Sequence, residues 1–200
     1  MTVTAIVGNA DMTTDRSARI DAADTVIRFN EPNGWGQLAG RKFDIWVLAN
    51  GNGGRKFIKK LMFADRPFRD LPTEVWFSRD MSVHADINTA DEAFLRELGE
   101  KDLGARILKR NGMTQPARHM DKAIYLDCID MIRTRIPAGR PMQLPSAGFL
   151  AIETVLRTRP DDHIVLAGFG FEGGAIHPWD IERAHITQLA EAGRVEMLAP

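Results

Sequence analysis

Apolar runs ending in turn residues alternate along this chain with segments of helical spacing. Residues 3–7, "TVIRFN" (25–30), "FDIWVLAN" (43–50), "TEVWFS" (73–78), "DHIVLAGFG" (162–170) and "RVEMLA" (194–199) read as strands. Between them, "SARIDAA" (17–23) reads as a short helix or turn and "RKFIKKLMFA" (55–64) as a helix. Helical spacing also marks "TADEAFLRELGE" (89–100, capped by Thr89), "KAIYLDCIDMIRTRI" (122–136), "AGFLAIETVLRTR" (147–159) and "PWDIERAHITQLAEAG" (178–193). Strands alternating with helices predict an α/β domain with a mostly parallel sheet flanked by helices. No regular element is assigned to 101–121, and a loop of that length suggests either a functional lid or disorder.

Composition narrows this picture without redirecting it. A chain of 200 residues, 44% hydrophobic and 26% charged, is expected to form one globular domain spanning 1–200. The net charge of −1 supplies no global field for nucleic acid or an anionic membrane. Basic residues do gather in "GRKF" (40–43) and "GGRKFIKK" (53–60). Such runs are solvated faces or, on the sharper reading, a peripheral docking patch for an anionic acceptor or phospholipid. The single cysteine, Cys128, excludes an internal disulfide and sits in an apolar helical pattern, as a core residue would. "MTVTAIVGNA" lacks a basic lead and a long apolar run, so a cytoplasmic protein is expected.

Four segments could carry chemistry. The first strand ends in Gly8-Asn9, where a glycine admits close backbone approach and an amide offers both donor and acceptor to a phosphate or ribose. A dinucleotide fingerprint is excluded, because "GNADMT" lacks its second and third glycines. The second strand ends in "IRFN", with Arg28 and Asn30 expected on one face. Asn9 and Asn30 would then meet at the carboxyl ends of neighbouring strands, while Arg28 either supports the site or braces a loop through Asp21 or Asp24. "LPSAGFLAIETVL" (144–156) sets Ser146, Ala147 and Gly148 at a helix start, an anion-binding arrangement. "GFGFEGGAIHPWDIE" (168–182) places His177 just ahead of a helix whose positive end would keep the imidazole neutral, as a general base needs. Glu182 is expected to pair with His185 three residues on.

In order, these pieces resemble the motifs of the eukaryotic-type sialyltransferase family. "TAIVGN…IDAADTVIRFN" (4–30) is similar to the large sialyl motif, "LPSAGFLAIETVL" with "DDHIVLAGFG" to the small motif, and "HPWDIE" to the very small motif. The resemblance implies a single Rossmann-like domain, a variant of the GT-A type, that binds a CMP-linked sugar and inverts anomeric configuration without a metal or other cofactor. It implies nucleotide contacts from Gly8, Asn9, Asn30, Ser146, Ala147, Gly148, Gly168, Phe169 and Gly170. His177 would be the catalytic base, with Arg28 and Glu182 in support. The implied partners are a CMP-activated acidic sugar and a glycan or glycolipid acceptor, with sialic acid and Kdo (3-deoxy-manno-octulosonate) both open. The family's two bridged cysteines correspond to Thr4 and Asp161, Ala10-Asp11 replaces its Ser-Gly, and its third motif is not recognisable in "FEGGA" (171–175). These departures leave a second reading, a nucleotide or glycan binder without turnover. An unrelated hydrolase or dehydrogenase is disfavoured, since G-x-S-x-G and G-x-G-x-x-G are both lacking.

Overall fold

The computed structural model describes residues 1–59, 63–87, 94, 99 and 101–199. Seven strands build the sheet: β1 (Val3–Val7), β2 (Thr25–Phe29), β3 (Ile45–Leu48), β4 (Glu74–Phe77), β5 (Ala117–His119), β6 (His163–Ala167) and β7 (Val195–Met197). Their order is β5-β4-β3-β2-β1-β6-β7, and every pairing is parallel. The central strands are buried along nearly their whole length, which is why they read as apolar runs rather than as alternations.

Helices cover both faces. On one side lie α4 (Lys122–Arg135), α5 (Ala147–Thr158) and α6 (Trp179–Glu191), which pack Cys128, Ile129, Ile152, Val155 and Ile186 onto Ile6, Ile27, Val47 and Trp76. On the other side, Trp46, Leu48, Phe57, Phe63, Phe77 and Ile107 form a second core beneath α2 (Arg55–Lys59) and α3 (Gly104–Asn111). A third cluster beside it joins Ile20 of α1 (Ser17–Asp21) to Ala5, Val7 and Val165. Trp46 and Trp76 lie on neighbouring strands in register-adjacent positions but enter opposite cores, as the two-residue period of a strand requires.

Two sequence expectations change. Residues 101–121 are not a structureless lid, for they contain α3 and the edge strand β5. Asn111 occupies the inner face of α3, accepting from Phe63 N–H (3.0 Å) and donating to Phe57 O (3.1 Å) and Ile107 O (2.9 Å). The helix is thus held partly by polar bonds that a hydropathy pattern does not reveal. The sequence helix over 89–100 falls mostly outside the described residues, and its cap, Thr89, lies wholly outside them. Among the described residues, no helix is long and apolar enough to cross a membrane.

Candidate functional site

Chain direction along the sheet reverses between β1 and β6, so the connections leaving these strands part to opposite sides and open a crevice at their carboxyl ends. A cavity of about 460 Å³ lies there, bordered by Gly8, Asn9, Asn30, Ser146, Gly168 and His177 among others. That size falls within the roughly 300–1,000 Å³ of small-molecule sites. Of the candidate site residues, Arg28 alone is absent from its wall.

The floor is made by two loops in contact. Gly8 N–H donates to Ala167 O (2.8 Å), and Ala10 N–H donates to Gly168 O (3.0 Å). A Cβ on Gly8 would stand 2.2 Å from Gly168 O, so the glycine is dictated by the approach of the two loops. Its N–H is consequently spent on protein. Asn9 is similarly engaged: Nδ2 donates to Phe29 O (3.2 Å), and Oδ1 accepts from Asn33 N–H (3.1 Å). Asn30 leaves β2 in the left-handed region, with φ 46°, which an asparagine tolerates. Its Oδ1 accepts from Ala49 N–H (3.0 Å), tying β2 to the tip of β3.

Ser146 caps α5, with Oγ accepting from Phe149 N–H (3.1 Å). The first two N–H groups of the helix, on Ala147 and Gly148, remain unclaimed by the described residues and border the cavity. A Cβ on Gly148 would meet the Phe169 ring at 2.9 Å, so the bare backbone lets that ring lie over the helix start. Glu182, 1% exposed, accepts from Ser146 N–H and from Ser146 Oγ, both at 2.7 Å. Burial pushes its carboxyl up to about 7, against the two Ser146 bonds that favour the charged form.

His177 stands opposite. Nδ1 lies 2.8 Å from Leu144 O; a carbonyl only accepts, so Nδ1 carries the proton and Nε2 keeps its lone pair. The ring packs edge-on against Trp179, with centroids 5.0 Å apart. Its loop is clasped to 143–144 through Leu144 N–H to Ile176 O (2.8 Å) and Gln143 Nε2 to Ala175 O (2.6 Å). Burial holds the imidazole below its ordinary 6.5, the Leu144 bond opposes, and the charge of Arg79 lowers it further. The neutral base therefore owes more to desolvation than to the helix end, and Pro178 is the cap of α6 rather than its first residue.

No protein-family model matches the chain. The urease operon 23 kDa accessory protein of Rhizobium meliloti (strain 1021) is 31% identical to it over 206 residues, covering 98% of this chain and 92% of that protein. The chain belongs to this accessory protein's family. Its fold is also that of solved sialyltransferases. A mammalian sialyltransferase superposes with a TM-score of 0.66 at 16% identity, over 98% of this chain and 68% of that one. The sialyltransferase CstII from Campylobacter jejuni, in complex with cytidine-5'-monophosphate, gives 0.59 at 13% identity, over 100% and 80%.

Within this family member, several side chains lie elsewhere than the sequence suggested. Arg28 turns away from the cavity and braces the following loop through carbonyls, donating to Lys42 O (2.9 Å) and Ala39 O (2.6 Å). Burial pulls its guanidinium down to about 10, with Asp21 and Asp44 opposing. Arg28 and Asn30 do not share a face because the positive φ of Asn30 ends the strand period. His185 pairs with Glu153 (2.9 Å) and not with Glu182, whose carboxylate is turned to Ser146. Facing Thr4 is Asp162, not Asp161, and Thr4 Oγ1 donates to its carboxylate at 2.6 Å. Arg79, at the tip of β4, borders the cavity and went unread in the sequence. The strand-tip logic applied to Asn9 and Asn30 was the signal that would have found it.

Proposed function

We propose that the chain is an inverting glycosyltransferase that moves an acidic sugar, sialic acid or Kdo, from a CMP-linked donor to a hydroxyl of a glycan or glycolipid. The observation that carries this reading is a base and an anion site on one cavity: His177 Nε2 is free, and Ala147 and Gly148 offer unclaimed N–H groups at the start of α5. Support for the donor class comes from the shared fold with a sialyltransferase solved with cytidine-5'-monophosphate and with CMP-3FNeuAc.

In this mechanism Nε2 takes the proton of the acceptor hydroxyl as its oxygen bonds to the anomeric carbon. The bond from that carbon to the phosphate oxygen breaks, and CMP leaves with the electron pair. Its charge falls on the helix-start N–H groups, which lie in place before the reaction. A single displacement inverts the anomeric centre. Exposed Arg55 and Lys56, next to the rim residues Asn52 and Gly53, give an anionic acceptor or a phospholipid headgroup a docking face.

The second reading, a binder without turnover, draws on the amide of Asn9 and the N–H of Gly8 being spent within the protein. An accessory role, as in the relative's name, would suit it. One pair of measurements separates the two. A thermal-shift screen against CMP, CDP, UDP, GDP and NAD should respond to CMP selectively. A transfer assay with His177→Ala should lose about a hundredfold or more while CMP affinity survives. CMP binding with no transfer by the wild type, across donors, supports the binder, and no response to CMP sinks the transferase reading.

A further inference from the structure

Arg79 lines the cavity together with the acidic Glu172 and Glu182, and the mechanism leaves this cation unused. It is 8% exposed. Its backbone is pinned at the tip of β4, where Asn50 Nδ2 donates to Arg79 O (2.8 Å) and Arg79 N–H donates to Asn50 Oδ1 (3.2 Å). The guanidinium lies against Gly51, where a Cβ would stand 2.4 Å from Nη2, and 5.9 Å from the centre of the Tyr125 ring. Nη1 is buried and has no hydrogen-bond partner, and no carboxylate among the described residues forms an ion pair with it. The guanidinium also meets the Tyr125 side chain, yet a buried cation with one unpartnered N–H group and no counter-charge is costly unless an anion completes it. Arg28 differs: its other nitrogens bond carbonyls, Asp21 and Asp44 stand near it, and it does not border the cavity.

The position of Arg79 says which anion. Arg79 and His177 line the same cavity of about 460 Å³, so an anion held by Arg79 shares that space with the base, and the Arg79 charge is felt at the imidazole. Inversion requires the leaving phosphate on the side of the anomeric carbon away from that base. In a 2-keto sugar acid the carboxylate is bonded to the anomeric carbon itself, within reach of a group beside the base. Resting on the CMP-sugar reading above, we propose that Arg79 receives the carboxylate of the donor sugar and so selects acidic over neutral sugars. A guanidinium fork suits a planar carboxylate through two parallel N–H bonds.

Calorimetry on the full chain with CMP and with CMP-3FNeuAc tests this. Arg79→Met keeps the bulk and removes the charge. It should weaken CMP-3FNeuAc by about ten- to a hundredfold, the range of a charged hydrogen bond, and leave CMP within about threefold. Equal loss for both ligands would make Arg79 a phosphate holder, and no loss for either would make it a brace; each result overturns the proposal. Should the variant not fold, the wild type is titrated with CMP-N-acetylneuraminate and its carboxylate methyl ester. An ester that binds as tightly as the acid overturns the proposal, and an ester weakened by about tenfold or more upholds it. A wild type that binds neither CMP nor CMP-3FNeuAc overturns the donor reading as well, so the two failures are told apart.

Discussion

Replacing Glu182 with glutamine should change how the stability of this protein depends on pH. Glu182 is 1% exposed and keeps both of its bonds to Ser146. Glutamine preserves the shape: its Oε1 can still accept from Ser146 N–H, and its amide can donate to Ser146 Oγ. What it removes is the titration. The folded carboxyl is raised from 4.5 to about 7, so the native state holds a proton that the unfolded chain releases. A carboxyl raised in this way stabilises fully below pH 4.5, and the contribution is lost as pH climbs through 7. A shift of two to three units is worth about 3 kcal/mol at 1.36 kcal/mol per unit. Urea unfolding of wild type and Glu182→Gln at pH 5 and pH 8 gives the difference directly, because every other titrating group is common to both. The wild type should lose up to about 3 kcal/mol relative to the variant between these values. Parallel pH profiles for the two proteins would show that the carboxylate is charged throughout, and would refute the reasoning.

Further outcomes follow from the same geometry. If His177 is the base, the acid limb of kcat/KM should have its midpoint below 6.5, since burial favours the neutral imidazole and activity appears as the proton leaves; a midpoint above 6.5 refutes this. Gly8→Ala should cost about 1–3 kcal/mol by urea unfolding and abolish the thermal shift given by CMP, because its methyl meets the Gly168 carbonyl; unchanged stability would show that the loops can part. Asn111→Leu should cost about 2–4 kcal/mol, since Phe63 N–H and Phe57 O lose their partner in the core; a neutral result by calorimetric melting would mean that water reaches them.

What could be read in the chain follows from where the information is local. Gly8, Ser146, Gly148 and His177 declare themselves because a tight approach, a cap and a loop-to-helix junction each have a residue signature within a few positions. The parallel sheet was legible for a related reason, as strands buried on both faces are simply apolar. The bond from Glu182 to Ser146 depends on packing across the fold, which no window of sequence contains, whereas Arg79 stood at a strand tip and only its burial was hidden. The segment 101–121 hid α3 because part of its inner face is the polar Asn111, whose partners lie 48 and 54 residues away. Arg28 braces a loop, one of the two roles open to it, but the face it was expected to share with Asn30 was lost because one residue in the left-handed region turned the chain before the strand period could be extended.

The place of β1 has a consequence for assembly. It forms a ladder with β2 on one edge and with β6 on the other, and Thr4 is 158 residues from its partner Asp162. Half of its hydrogen-bonding groups must therefore wait for a segment far along the polypeptide. Closing so large a loop is slow, and until then an apolar edge is open to any other chain. Fragments ending before residue 163 would lack the crevice altogether and should associate through that edge.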